Sequence, residues 1–245
     1  MKLMATTLVE TECLIIDADV SAQMTAVLLK GKGECIVAIN DEDAFSVSPH
    51  MTMLRIIGSQ LLLYDGQQLH VYTVEGACTQ SVNIGQHVRH IEPMKDKVLV
   101  TYTDQGVYDD PIGKEIINVV ALDGTKTSQR AFAEQHMLQY DIPMTKDKPY
   151  ACLSSVHNEI LHFSEQFEVV KVQACPFDTG NVLAMSYQYP YYVLVEENRF
   201  ICLQEDGSFE VFEQPFSYSV RSVMHKGVTK FIEIFEHRLI GYHLE

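Results

Sequence analysis

Apolar residues come in short runs along this chain, each closed by polar punctuation. Ala26-Val27-Leu28-Leu29, Leu61-Leu62-Leu63-Tyr64, Val98-Leu99-Val100-Thr101-Tyr102 and Tyr192-Val193-Leu194-Val195 are representative. The runs are rich in β-branched, Leu and aromatic residues and are bounded by Gly, Asp, Asn or Glu. That is the signature of strands and hairpins, not of amphipathic helices. The best helical stretch covers residues 127–139, and its periodicity is poor.

One form of hairpin recurs. Residues 35–39 turn at 40–43 into Phe45-Ser46-Val47, and residues 69–72 turn at Glu75-Gly76 into residues 79–82. Residues 118–122 meet Asp123-Gly124, residues 160–163 meet Glu165-Gln166, and residues 200–203 meet Asp206-Gly207 before Phe209-Glu210-Val211-Phe212. Asp-Gly between apolar runs favours a type I′ turn, which needs positive φ. Two further apolar runs precede each hairpin, so the repeating unit is four strands in roughly 40 residues. Two units also match by letters. His87 leads to Pro93-Met94-Lys95-Asp96-Lys97, and His136 leads, with two short insertions, to Pro143-Met144 and Lys146-Asp147-Lys148.

Four-stranded antiparallel units at this period resemble the blades of the β-propeller superfold. The resemblance spans the whole chain through periodicity alone. It carries no WD dipeptide or kelch Gly pair, and Trp is absent, so it implies a fold and no particular family or activity. The expectation is an all-β, six-bladed β-propeller, with residues 1–245 as a single propeller domain. Residues 219–224, 228–234 and 238–243 supply three strands of the last blade, and an N-terminal strand over residues 6–9 closes it. Closure of this kind removes an exposed sheet edge and ties down both termini. Seven blades would allow only about 35 residues each, too few for the longer units. A β-sandwich or a two-domain β protein is the architectural alternative.

Charge and cysteine usage narrow the partners. Eighteen Lys and Arg against 33 Asp and Glu give a net charge of −15. No basic face is available for phosphate backbones, so nucleic-acid binding is not expected. The N-terminus has no continuous apolar h-region, and no run approaches the ~18 apolar residues of a membrane span. Cys13, Cys35, Cys78, Cys152, Cys175 and Cys202 show no CxxC or Cys/His zinc spacing. They read as buried thiols in a reducing cytoplasm, and the chain reads as a monomer without nucleic-acid or membrane partners. Residues 191–216 hold six acids, Glu196, Glu197, Glu205, Asp206, Glu210 and Glu213, against Arg199 alone. They predict an acidic rim on the fifth blade that favours a basic partner.

In the resembling fold, the innermost strand of each blade lines a central channel. Counting back from the second strand places Glu12, His50, His87, His136, Asn181 and Ser217 where the chain leads into those strands. His50, His87 and His136 from adjacent blades are therefore candidate ligands for a divalent transition metal, or a general acid or base. Repeated loop caps inherited by duplication are the simpler account of the same spacing. His90, three residues after His87, is expected on the other side of its strand. The third blade carries a long insertion over residues 102–115, between its second and third strands and on the same face as the histidines. Its Asp104, Tyr108, Asp109 and Asp110 are candidate ligand contacts, because long loops in compact folds tend to be functional. The tyrosine-rich residues 187–192 fall between the first two strands of the fifth blade, on the opposite face. No P-loop, GxGxxG, GxSxG or EF-hand pattern occurs. Two functions fit: a non-catalytic interaction module presenting loops to a protein or small ligand, or a metal-dependent hydrolase or lyase at the channel mouth.

Overall fold

The computed structural model describes residues 2–245 apart from positions 95, 139, 141, 146–149, 218 and 224–228. Six antiparallel sheets form a β-propeller ring. From channel to rim, the first blade is Ile15–Val20, Thr25–Lys30, Cys35–Ile39 and Glu42–Val47, and the second is Met53–Ile57, Gln60–Tyr64, Gln68–Thr73 and Cys78–Asn83. The third is Val88–Met94, Lys97–Tyr102, Ile117–Ala121 and Lys126–Ser128. The fourth shows Ala151–Ser154, Glu159–Phe163 and Val169–Ala174, and the fifth Ala184–Gln188, Tyr191–Val195, Arg199–Gln204 and Phe209–Glu213. Arg221–Ser222, Thr229–Phe235 and Arg238–Leu244 make the sixth. The N-terminal strand Leu3–Glu10 completes it from outside, pairing Leu3 with Leu244 and Glu10 with Arg238.

The runs are apolar without alternating because each middle strand is buried on both faces. Leu61 and Leu63 join the core shared with the first blade, while Leu62 and Tyr64 join the core shared with the third. Val193 and Val195 face the sixth blade, and Tyr192 and Leu194 the fourth. Among the described residues, one such core sits between each neighbouring pair of blades. Each fully buried Leu or Val contributes roughly 1.5–3 kcal/mol of transfer free energy. The turns follow the residue chemistry. Asn40 and Asp41 both take positive φ, +51° and +69°, as a type I′ turn requires. Gly124 and Gly207 sit at +88° and +86°, each after an Asp whose carboxylate accepts a backbone N–H from the residue beyond.

Two features depart from the sequence expectation. The helix within residues 127–139 is shorter, Arg130–Gln135, and residue 139 lies outside the described residues. Among the described residues, the innermost position of the fourth blade shows one bridge, Met144 to Cys152. Pro143 there has no N–H to donate to a ladder. The Lys146-Asp147-Lys148 half of the letter repeat and the Met224 and Val228 ends of the expected sixth-blade strands also lie outside the described residues.

The channel is filled by side chains that complete the inner strands. Leu54 and Ile56 lie on an edge with no strand beside it. Their N–H groups donate to Asp17 Oδ2 at 2.8 Å and Asp19 Oδ2 at 2.9 Å, across from the first blade. Arg55 reaches back to Asp17 Oδ2 at 2.5 Å and forward to the Ile91 carbonyl of the third blade at 3.1 Å. Arg221 of the sixth blade approaches Asp19 Oδ1 at 3.4 Å and Asp17 Oδ1 at 3.5 Å. Ser222 donates to the Met144 carbonyl at 3.2 Å, tying the sixth blade to the fourth. Burial, together with the neighbouring Arg55 charge, pulls the Arg221 guanidinium below its ordinary pKa against the pull of Asp17, Asp19 and Glu92. Burial also disfavours the charged Arg55, but the same three carboxylates outweigh it and raise its pKa.

Between the fourth and fifth blades His162 is buried. Its Nδ1 meets Tyr192 Oη at 3.2 Å, and Nε2 has no hydrogen-bond partner among the described residues. Burial, with Lys171 adding to it and Glu205 opposing it, lowers the His162 pKa below its usual 6.5.

Two outcomes are expected. Asp19→Ala leaves the Ile56 N–H and part of Arg221 unpaired, and should lower the unfolding free energy by about 3–5 kcal/mol in denaturant titration. Because folding depresses the His162 pKa, its contribution is fully present above 6.5 and is lost as pH falls below that value towards the folded pKa. His162→Gln should therefore lose less stability than the parent between about pH 7 and pH 5; an unchanged drop contradicts the assignment.

Candidate functional site

Loops that lead into innermost strands, and loops that join second to third strands, emerge on one face of a propeller. We call it the upper face. His50, His87 and His136 all lie in its loops. His50 and His87 are exposed, and His136 is half-buried with its ring 5.1 Å from that of Phe132. His87 adopts φ +54°, and its carbonyl accepts the Thr103 N–H at 2.9 Å. The three imidazoles share a face but are not gathered. Among the described residues no group of three His, Cys, Asp or Glu side chains is arranged to hold a metal ion.

The insertion of the third blade folds into a short helix, Asp104–Asp109, capped by Thr103, and a 3-10 turn, Gly113–Glu115. Asp110 is its anchor. One carboxylate oxygen accepts the Ile112 and Gly113 N–H groups at 2.6 and 3.1 Å, and the other accepts Gln86 N–H at 2.8 Å. Burial alone would raise its pKa, but those donors and the nearby His87 hold it below the ordinary carboxylate range. Asp110 thus fastens the insertion to the loop that carries His87. Asp104, Asp109 and Tyr108 remain outward, with Tyr108 71% exposed. Beneath that loop, Tyr64 and Tyr102 donate to the Gly85 and Ile84 carbonyls at 2.9 and 2.8 Å.

A cavity of about 690 Å³ opens on the same face over the third, fourth and fifth blades. Arg89 and His90 form its third-blade wall. Met137, Tyr140 and Pro143 come from the loop into the fourth blade, and Ser155 from the loop after its second strand. Thr179, Gly180 and Asn181 and residues 196–199 close it on the fifth-blade side. The volume falls in the usual range of ligand sites. Met137, at φ +52°, Tyr140 and Val156 are exposed on the loops around it.

Sequence reasoning missed this cavity, although it placed Asn181 and His136 on the correct face. The traceable signal was the pair of polar loops, Thr179-Gly180-Asn181 and Glu196-Glu197-Asn198-Arg199. His90, expected on the other side of its strand from His87, lines the cavity, which His87 does not. One expectation needs correction. Glu196 is not part of an acidic rim. It is 6% exposed and bound by Arg199 Nε at 2.6 Å and Nη2 at 3.2 Å. The tyrosine-rich stretch lies on the opposite face as expected, with Tyr189 81% exposed at its turn.

No family model matches the chain, and no curated protein matches it in sequence. Solved structures match it in shape. An inactive variant of virginiamycin B lyase from Staphylococcus aureus, in a structure with quinupristin, aligns with a TM-score of 0.56 at 10% identity, covering 100% of this chain and 99% of that one. BBS1N in complex with ARL6DN aligns at 0.54 and 9% identity, covering 93% and 78%. The N-terminal domain of Nup159 aligns at 0.53 and 10% identity, covering 86% and 67%. Likeness at such identity carries architecture and not activity, and the architecture is the six-bladed β-propeller.

Proposed function

We propose that this propeller is a non-catalytic interaction module that docks a protein partner on its upper face, over the third to fifth blades. The observation that carries the reading is the coincidence of exposed Tyr108, Met137, Tyr140 and Val156 on loops of one face with a concave cavity among them. Exposed aromatic and Met side chains around a depression have the make-up of an interface centre. The insertion that carries Tyr108 is held by Asp110 to the turn before Val88, which Tyr64 and Tyr102 hold from beneath, so this part of the face needs little ordering on docking. In this reading Asp104, Tyr108 and Asp109 touch the partner, Asp110 positions them, and His50, His87 and His136 are separate rim contacts. The net charge of −15 steers a basic partner. The neighbour crystallised as BBS1N with ARL6DN is an example of a propeller-shaped chain in a protein complex. All six cysteines are free thiols, four of them buried, which suits a reducing cytoplasm.

Site-specific photocrosslinking tests the face. A benzophenone amino acid at Tyr140 or Tyr108 should give one discrete adduct in cells, and the same group at Tyr189 on the opposite face should not. Met137→Asp should abolish the Tyr140 adduct. Adducts from Tyr189 alone, or from neither face, would overturn the reading.

A further inference from the structure

We infer that the cavity over the third to fifth blades is a binding site for a small organic carboxylate with a compact apolar group. The inference goes beyond protein docking and does not depend on it. Arg199 supplies the first argument. Glu196, almost wholly buried, grips its Nε and Nη2 and fixes the plane of the guanidinium at the cavity wall. Nη1 makes no hydrogen bond among the described residues. A guanidinium fixed in this way, with one edge still to donate, is suited to a planar carboxylate.

The surroundings supply the second. Arg89 stands on the third-blade side of the cavity. Glu196 and Arg199 neutralise each other, leaving the open guanidinium edge as a directed pair of donors, and Glu197 sits at the exposed rim. Leu138, Ile142, Leu153 and Val182 line the depression and are buried, and the phenol of Tyr140 stands at its edge. Asn181, Asn198 and Ser155 add neutral polar groups. The lining therefore offers the open guanidinium edge of Arg199, an apolar seat and a few orienting dipoles, the make-up of a small-molecule site. The strongly acidic chain repels anions elsewhere, so an anion retained here is held by local geometry.

Gly180 provides a way to close the cavity without touching the core. Its φ is not in the left-handed region, and a Cβ built there meets only Asp178 Oδ1, at 3.3 Å. Saturation-transfer NMR with three probes of one size, benzoate, benzamide and benzylammonium, tests the site. Benzoate should bind the parent in preference to the other two. Gly180→Leu, or Ser155→Trp should the first variant fold poorly, should abolish benzoate saturation. Arg199→Lys, which keeps the charge and loses the planar fork, should weaken it about tenfold. Equal saturation of all three probes, preference for benzylammonium, persistence of benzoate binding in a folded blocked variant, or no benzoate binding would each overturn the inference. The docking face is judged separately, by crosslinking.

Discussion

An innermost propeller strand has a partner on one side only, and its other edge of backbone donors and acceptors faces a channel too narrow for another strand. Buried and unpaired, each such group costs about as much as a lost hydrogen bond. This chain meets the constraint with side chains from the next blade. Asp17 and Asp19, two residues apart on the first inner strand, present their carboxylates to the Leu54 and Ile56 N–H groups. Arg55 passes the linkage on to the third blade, and Arg221 closes it from the sixth. The carboxylates thus do two jobs: they complete the second blade's inner edge and hold two guanidiniums that would otherwise repel one another. The six interblade cores stack the blades, and the channel network sets how they meet at the axis.

Among the described residues the fourth blade shows one bridge at the axis, Met144 to Cys152. Its approach loop, with Met137 and Tyr140, lies over the wall formed by Arg89, Glu196 and Arg199. Beside it, Asp110 pins the long insertion to the turn before Val88, and Tyr64 and Tyr102 hold that turn from beneath. The cavity over the third to fifth blades mixes charged, polar and apolar lining, and both the docking proposal and the carboxylate inference fall there.

The ring itself was legible in the sequence. Hairpin turns recurring about every 40 residues, two of them Asp-Gly, and four apolar runs per unit were enough to count blades and to assign the N-terminal strand to the last one. The runs lacked alternation because both faces of each middle strand are buried, which is itself diagnostic of stacked blades. The site was less legible. Position counting found the right face for His136 and Asn181, but it could not show that the histidines fail to converge, since convergence depends on loop paths and not on spacing. Glu196 and Arg199 read as surface charge because residue type at a turn does not reveal burial, and Glu196 is buried with Arg199 bound to its carboxylate. Asp17 and Asp19 stood in plain view inside Ile15-Ile16-Asp17-Ala18-Asp19-Val20. Carboxylates in an otherwise apolar run mark a polar interior, and the partners they require, backbone groups of another blade, leave no mark in composition.

Hydrogen exchange at single amides tests the central claim most directly. If side-chain carboxylates complete the channel-facing edge, the Leu54 and Ile56 N–H groups, which have no strand partner, should exchange as slowly as the amides of the middle strands. In Asp19→Ala, Ile56 should lose that protection while middle-strand amides such as Leu62 keep theirs relative to the new global stability. Rapid exchange of Leu54 and Ile56 in the parent protein, or an Ile56 amide indifferent to Asp19→Ala, would contradict it.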